Sequence, residues 1–212
     1  DGASLKYRLI ISDVDSTLIE QEVIDVLAER SGHGSEVAEI TRAAMAGELD
    51  FRSALTHRVK LLEGLTDQDL VEVASQIRLA PGAVELRGFC RSNNIKFGAV
   101  TGGFAQVLQH IPFFAELDFL RANSLQLMDG KVTGKVEGEI IDRTAKADFL
   151  SELALSNNVG LDQCVAIGDG ANDLEMIMRA GLGVSFRGKE ILNSAADIAI
   201  SGSLAEVISL IQ

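Results

Sequence analysis

Short apolar runs alternate with segments of helical periodicity through most of this sequence, and that alternation restricts the fold more than any other feature. Residues 6–12, 96–100, 164–167 and 183–185 read as strands, with 197–200 a shorter fifth. Residues 83–92, 104–110, 144–156, 172–180 and 204–211 carry the spacing of helices with one apolar face. Strands and helices in alternation predict a parallel α/β sheet covered on both faces. An apolar share of 47% over 212 residues is enough for such a core. Ligands of these sheets gather at the carboxyl ends of the strands.

Two stretches break the rhythm. From about residue 22 to 78 the pattern is almost wholly helical, which reads as a small cap (21–78) inserted after the first strand into a core made of 1–20 and 79–212. Pro81-Gly82 marks the return to the core. In 123–136, Asp129-Gly130 sits between two alternating segments, the pattern of a β-hairpin.

The first strand runs into Asp13-Val14-Asp15-Ser16-Thr17. Residues i and i+2 of a strand point to one side, so Asp13 and Asp15 repel each other unless positive charge lies between them. A divalent cation and a phosphoryl group would supply a reason for the pair. A carboxylate that attacks phosphorus forms an acyl phosphate, and a second acid can protonate the leaving oxygen and then activate water. Acidic pairs also bind cations without catalysis.

Three further elements lie at strand ends or helix starts. Thr101-Gly102-Gly103 offers a hydroxyl and glycine amides, suited either to a phosphate oxygen or to a plain helix cap. Lys146 falls in the first turn of a helix, against the dipole, where it either neutralises phosphate and holds the nucleophile or is a solvated surface lysine. In Gly168-Asp169-Gly170-Ala171-Asn172-Asp173, Asp169 can ligate a metal, with Asn172 and Asp173 positioning it or the lysine. A capping turn explains one of these acids but not the cluster.

Thirty-one acidic against 19 basic residues give a net charge of −12, which argues against the basic footprint of a nucleic-acid binder. An anionic substrate then requires positive charge concentrated at its site. No apolar run is long enough to span a bilayer and no signal pattern opens the chain; with Cys90 and Cys164 as reduced structural thiols, the expected location is the cytoplasm. His33, His57 and His110 form no ligand-like cluster.

Taken together, these four motifs resemble those of the haloacid dehalogenase (HAD) superfamily, whose core is a Rossmann-like parallel sheet. Asp15-Ser-Thr-Leu-Ile-Glu-Gln-Glu22, Met45-Ala-Gly-Glu-Leu-Asp-Phe51 and Arg58-Val-Lys-Leu-Leu62 resemble its phosphoserine phosphatase branch. The resemblance implies Mg²⁺-dependent hydrolysis of O-phospho-L-serine, the last step of serine biosynthesis, through an aspartyl phosphate. It makes Asp13 the nucleophile and Asp15 the general acid/base. Mg²⁺ would be held by Asp13, the main-chain carbonyl of Asp15 and Asp169. Thr101 and Gly102 would bind phosphoryl oxygens, Lys146 would offset their charge, and Asn172 and Asp173 would support the cluster. Glu22 would take the substrate's ammonium and Arg58 its carboxylate, under an apolar lid of Met45 and Phe51. Such a lid excludes water while the acyl phosphate forms.

One departure is visible: relatives often have Ser where this chain has Thr101. Many bacterial relatives are also expected to carry an N-terminal regulatory domain, which is not among these residues. The same chemistry on another small phosphate ester, or phosphoryl transfer to an alcohol, stays open at this point. A catalytically silent phosphate- or metal-binding module is disfavoured by the presence of Asp13, Asp15 and Lys146 together.

Overall fold

The computed structural model describes residues 5–212; residues 1–4 of the expected first core segment lie outside the described residues. In chain order the elements begin with β1 (Leu9–Ser12), followed by helices α1 (Val23–Ser31), α2 (Gly34–Met45), α3 (Phe51–Lys60), α4 (Asp67–Gln76) and α5 (Ala83–Ser92). Then come β2 (Lys96–Phe104), the short helices α6 (Ala105–Leu108) and α7 (Pro112–Ala115), and the strands β3 (Phe119–Met128) and β4 (Lys131–Glu137). The last third holds α8 (Arg143–Ser156), β5 (Cys164–Gly168), α9 (Leu174–Arg179), β6 (Leu182–Phe186), α10 (Glu190–Ala195), β7 (Ile198–Ile200) and α11 (Glu206–Ile211).

The strands form one seven-stranded sheet in the order β4-β3-β2-β1-β5-β6-β7. Every pairing is parallel except β3 with β4, the expected hairpin. Strand β1 lies between β2 and β5, where the strand order changes direction. The crevice beyond its carboxyl end is where a sheet of this kind binds ligands.

Period-two alternation assigns the faces. Ile10 of β1, with Val165 and Ile167 of β5, joins an apolar cluster that also contains Leu27, Leu55 and Leu70 from α1, α3 and α4. Leu9 and Ile11, with Cys164 and Ala166, pack on the other face against Phe149, Leu150 and Leu153 of α8. Each of the buried Leu, Ile, Val and Phe side chains stabilises the fold by about 1.5–3 kcal/mol before entropy is counted.

Helices α1–α4 occupy the insertion after β1. Their starts follow local chemistry: Asp50 accepts the Ser53 N–H at 3.0 Å, and Thr66 and Asp69 form a reciprocal capping box. Where the insertion meets the core, Glu20 N–H donates to the Arg78 carbonyl at 2.9 Å and Ala80 N–H to that of Leu18 at 2.8 Å. At its far side, Gly64 N–H donates to the Val132 carbonyl (2.9 Å), Val132 N–H to that of Leu65 (2.8 Å), and Asp67 N–H to that of Gly130 (3.1 Å).

Several local expectations are corrected. The first strand starts at Leu9 rather than residue 6, and β2 runs to Phe104, so Thr101-Gly102-Gly103 is extended chain and not a helix N-terminus. Its parallel register with β3 continues to Thr101–Ala122 and resumes, after an irregularity, at Phe104–Asn123. The expected helix over 172–180 is a 3₁₀ turn over Ala171–Asp173 followed by α9. Among the described residues, no helix is long and apolar enough to cross a membrane.

Candidate active site

Strand β1 delivers Asp13 and Asp15 to the crevice, and the chain bends immediately after them. Ser16 takes the left-handed conformation (φ 56°), and the N–H groups of Thr17, Leu18 and Ile19 all turn back on the Val14 carbonyl. The same bend lets the Ser16 hydroxyl donate to Glu22 Oε1 at 2.8 Å.

Lys146 enters from the first turns of α8, whose start is capped by Asp142. Its Nζ donates to Asp13 Oδ1 and to Asp173 Oδ1, both at 2.8 Å, and all three side chains are buried. The surface-lysine reading is therefore wrong. Burial alone would lower the Lys146 pKa, but the two carboxylates outweigh it and raise it, so the ammonium stays charged.

Asp173 spends its other oxygen on the N–H groups of Asp169 (3.0 Å) and Gly170 (3.2 Å). Gly168 makes that approach possible, because a Cβ there would lie 2.5 Å from Asp173 Cγ. Asp173 thus links Lys146 to the backbone of the Gly168–Gly170 turn. Asp169 accepts the Thr17 hydroxyl on Oδ1 at 3.0 Å.

Asp15 is held between two donors. Its Oδ1 accepts the Val23 N–H at 2.8 Å, at the start of α1, and its Oδ2 accepts the Thr101 hydroxyl at 3.1 Å. Thr101 Oγ1 in turn accepts the Gly103 N–H at 2.8 Å. Thr101 is fully buried and does not line the cavity; its hydroxyl serves Asp15 here, while Gly102 and Gly103 face the open space. Asn123 steadies this turn, donating to the Gly102 carbonyl at 3.0 Å and accepting the Ile141 N–H at 2.7 Å.

The cavity has a volume of about 450 Å³ and lies between the sheet end and the insertion. Its floor holds Asp13, Asp15, Gly102, Lys146, Asp169 and Asn172; its opposite wall holds Glu22, Met45, Phe51 and Arg58. Met45 is 66% and Phe51 39% exposed, so they rim the opening instead of packing between helices. Arg58 donates from Nε to the Ala54 carbonyl (3.2 Å) and from Nη1 to the Thr41 hydroxyl (3.3 Å). Burial lowers its pKa, opposed by the charges of Asp25, Glu22 and Asp15.

Sequence reasoning missed Asp25, Thr41 and Lys189 as lining residues. Asp25 had a signal: it lies three residues after Glu22, one helical turn along the same face. Thr41 and Lys189 had none, being brought in by tertiary packing alone.

The acids of the floor are crowded. Asp13, Asp15 and Asp169 are all pushed above the ordinary carboxylate range, chiefly by burial; Asp173 adds to this for Asp13, and hydrogen bonds from Val23 and Thr101 oppose it for Asp15. Carboxylate oxygens of Asp13, Asp169 and Asp173 lie within 4.8 Å of one another. Hard oxygen donors at this spacing fit a metal ion, whose charge would draw these carboxyls back to their ionised form. With both Asp173 oxygens already engaged, Asp13 and Asp169 are the side chains best placed to hold it. Glu22 is raised to about 7 by burial first and by the Asp15 charge second.

Comparison with known proteins agrees with this geometry. The family model for haloacid dehalogenase-like hydrolases matches residues 10–178. The chain is 47% identical over 194 residues to the phosphoserine phosphatase of Streptomyces coelicolor, covering 92% of this chain but 47% of that protein, so it spans about half that relative's length. It is 46% identical over 193 residues to the phosphoserine phosphatase of Streptococcus thermophilus, covering 91% of this chain and 90% of that one. A solved phospho-aspartyl intermediate analogue of phosphoserine phosphatase superposes with a TM-score of 0.89 at 38% identity, covering 97% of this chain and 99% of the other.

Proposed function

We infer an activity from one premise: the chain belongs to the haloacid dehalogenase-like hydrolase family. The reaction is hydrolysis of O-phospho-L-serine to L-serine and inorganic phosphate, with the phosphoryl group carried in between on Asp13. The observation that carries this reading is the pairing within one cavity of a buried Asp13–Lys146–Asp173 array with Glu22 and Arg58 on the facing wall.

An Asp13 carboxylate oxygen attacks phosphorus, the bond to the serine oxygen breaks, and an acyl phosphate forms. Lys146 holds Asp13 in place and keeps positive charge beside it. Asp15 donates its proton to the departing serine oxygen, then takes one from the water that cleaves the acyl phosphate. Gly102 offers backbone to the phosphoryl oxygens, with Thr101 fixing the turn and Asn172 beside it. Asp13, the main-chain carbonyl of Asp15 and Asp169 would hold Mg²⁺. When bound, that ion supplies positive charge against the phosphoryl oxygens.

Glu22 takes the substrate ammonium, and Arg58 takes its carboxylate through parallel hydrogen bonds. Residues 21–78 act as a cap over the core of 1–20 and 79–212, with Met45 and Phe51 at its lip. Closing that lip over bound substrate excludes water from the acyl phosphate.

Phosphate release from phosphoserine, with and without Mg²⁺ and beside a panel of phosphorylated metabolites, tests the reading. Mg²⁺-dependent release with phosphoserine preferred is expected, with a base- and hydroxylamine-labile phosphoenzyme that Asp13→Asn abolishes while remaining folded. Equal or faster turnover of another ester would replace phosphoserine as the substrate, and normal turnover by folded Asp13→Asn would remove the nucleophile.

A further inference from the structure

We propose that Lys189 is a second phosphate-binding cation of this site, acting beside Lys146; the proposal rests on the phosphatase reading above. Lys189 lies between β6 and α10, outside all four motifs, yet lines the same cavity as Asp13, Gly102, Asp169 and Asn172. Its backbone N–H donates to the Asp169 carbonyl at 2.9 Å, which ties it directly to the acidic floor.

The turn that presents Lys189 is fixed from several sides. Arg187 adopts a left-handed backbone (φ 48°), a conformation that costs a non-glycine residue about 1 kcal/mol or more. It is held there by its N–H to the Ile200 carbonyl (2.8 Å) and by its guanidinium to the carbonyls of Ser201 (3.1 Å) and Gly202 (2.9 Å). Asn193 Nδ2 donates to the Gly188 carbonyl at 3.0 Å, and Asn193 Oδ1 accepts the Ser185 hydroxyl at 2.6 Å. Backbone strain maintained by this many contacts is characteristic of a segment that positions a functional group.

Charge supplies the role. Lys146 gives hydrogen bonds to both Asp13 and Asp173, and Arg58 belongs to the opposite wall. Lys189 makes no ion pair among the described residues, so its ammonium is available to a ligand. The floor carries the carboxylates of Asp13, Asp15, Asp169 and Asp173. With Asp15 holding the proton that it gives to the leaving oxygen, Lys146 and a divalent ion only balance Asp13, Asp169 and Asp173, and Lys189 supplies the positive charge left over for a phosphate. A phosphate then approaches without net repulsion, in a protein whose overall charge of −12 otherwise opposes it.

The test is binding of inorganic phosphate to the full chain with Mg²⁺, followed by calorimetry, alongside phosphoserine kinetics. Lys189→Gln should weaken phosphate binding by about tenfold or more, the worth of one charge-assisted hydrogen bond, and raise KM for phosphoserine by a similar factor. Lys189→Arg should keep most of the affinity. Lys135→Gln removes the same charge from an exposed position on β4 outside the cavity and should change neither quantity. Unchanged phosphate affinity and KM in Lys189→Gln would overturn the role of Lys189 alone. Equal losses in Lys135→Gln and Lys189→Gln would reduce it to net charge and overturn it too. A wild-type protein that neither binds phosphate nor releases it from phosphoserine would overturn the phosphatase reading and this assignment with it.

Discussion

Lys146 Nζ meets Asp13 Oδ1 at 2.8 Å across 133 residues of sequence, with both side chains almost wholly buried. A buried pair is strongly destabilising only when one partner is removed, because the remaining charge has no solvent. Lys146→Met should therefore lower unfolding stability by about 3–5 kcal/mol in urea titrations. Adding Asp13→Asn to it should recover part of that loss, since one stranded carboxylate disappears. Strict additivity of the two substitutions would show that the pair is not coupled in solution.

Thr101 acts on Asp15 through a single hydroxyl that also accepts the Gly103 N–H. Thr101→Val should reduce kcat on phosphoserine by about tenfold or more, within the range that acid–base catalysis contributes. Thr101→Ser should restore it. Phosphoenzyme formation from p-nitrophenyl phosphate, whose leaving group needs little protonation, should be spared in Thr101→Val. A uniform loss on both substrates would mean that Thr101 holds the phosphoryl group and not Asp15.

Arg58 reaches the cavity from α3, with the side chain steadied by Ala54 and Thr41. Arg58→Ala should raise KM for phosphoserine by about a hundredfold, as expected when a charge-assisted bidentate contact is removed. An ester with no carboxylate should be affected far less. If both KM values rise together, Arg58 is shaping the cap and not reading the substrate.

Glu22 is raised from its ordinary 4.5 to about 7. A carboxyl raised on folding stabilises the native state most at low pH. Its contribution is complete below about 4.5 and is lost as pH rises through about 7. Metal-free thermal unfolding should show a fall in midpoint over that window, and Glu22→Gln should flatten it. Phosphoserine affinity should move the opposite way, rising with pH through about 7 as Glu22 ionises to meet the ammonium. An unchanged slope in Glu22→Gln would leave Glu22 without a part in either effect.

Much of this architecture is legible in the sequence because burial imposes patterns on it. The runs that became β1, β5 and β6 are apolar because both faces of a central parallel strand are covered. Asp13, Asp15, Lys146 and Asp169 stand out because each opposes the simplest structural use of its position. The errors have equally physical sources. Helices α7 and α10, of four and six residues, are too short to display a period. The continuation of β2 through Thr101-Gly102-Gly103 depends on a neighbouring strand and on the Asn123 side chain, which no local window contains. Lys189 reaches the cavity through a turn braced by residues from β7 and beyond, so its position follows from the packed fold.

Strand β4 ends the sheet, and an end strand offers unpaired backbone groups to any other extended chain. Here the segment after α3 occupies part of that edge: Val132 both donates to Leu65 and accepts from Gly64, while the Gly130 carbonyl takes the Asp67 N–H. The insertion thus covers part of a strand edge as well as lining the cavity. Shortening it to make a minimal catalytic core would uncover a strand edge, and aggregation would limit such a core before catalysis did.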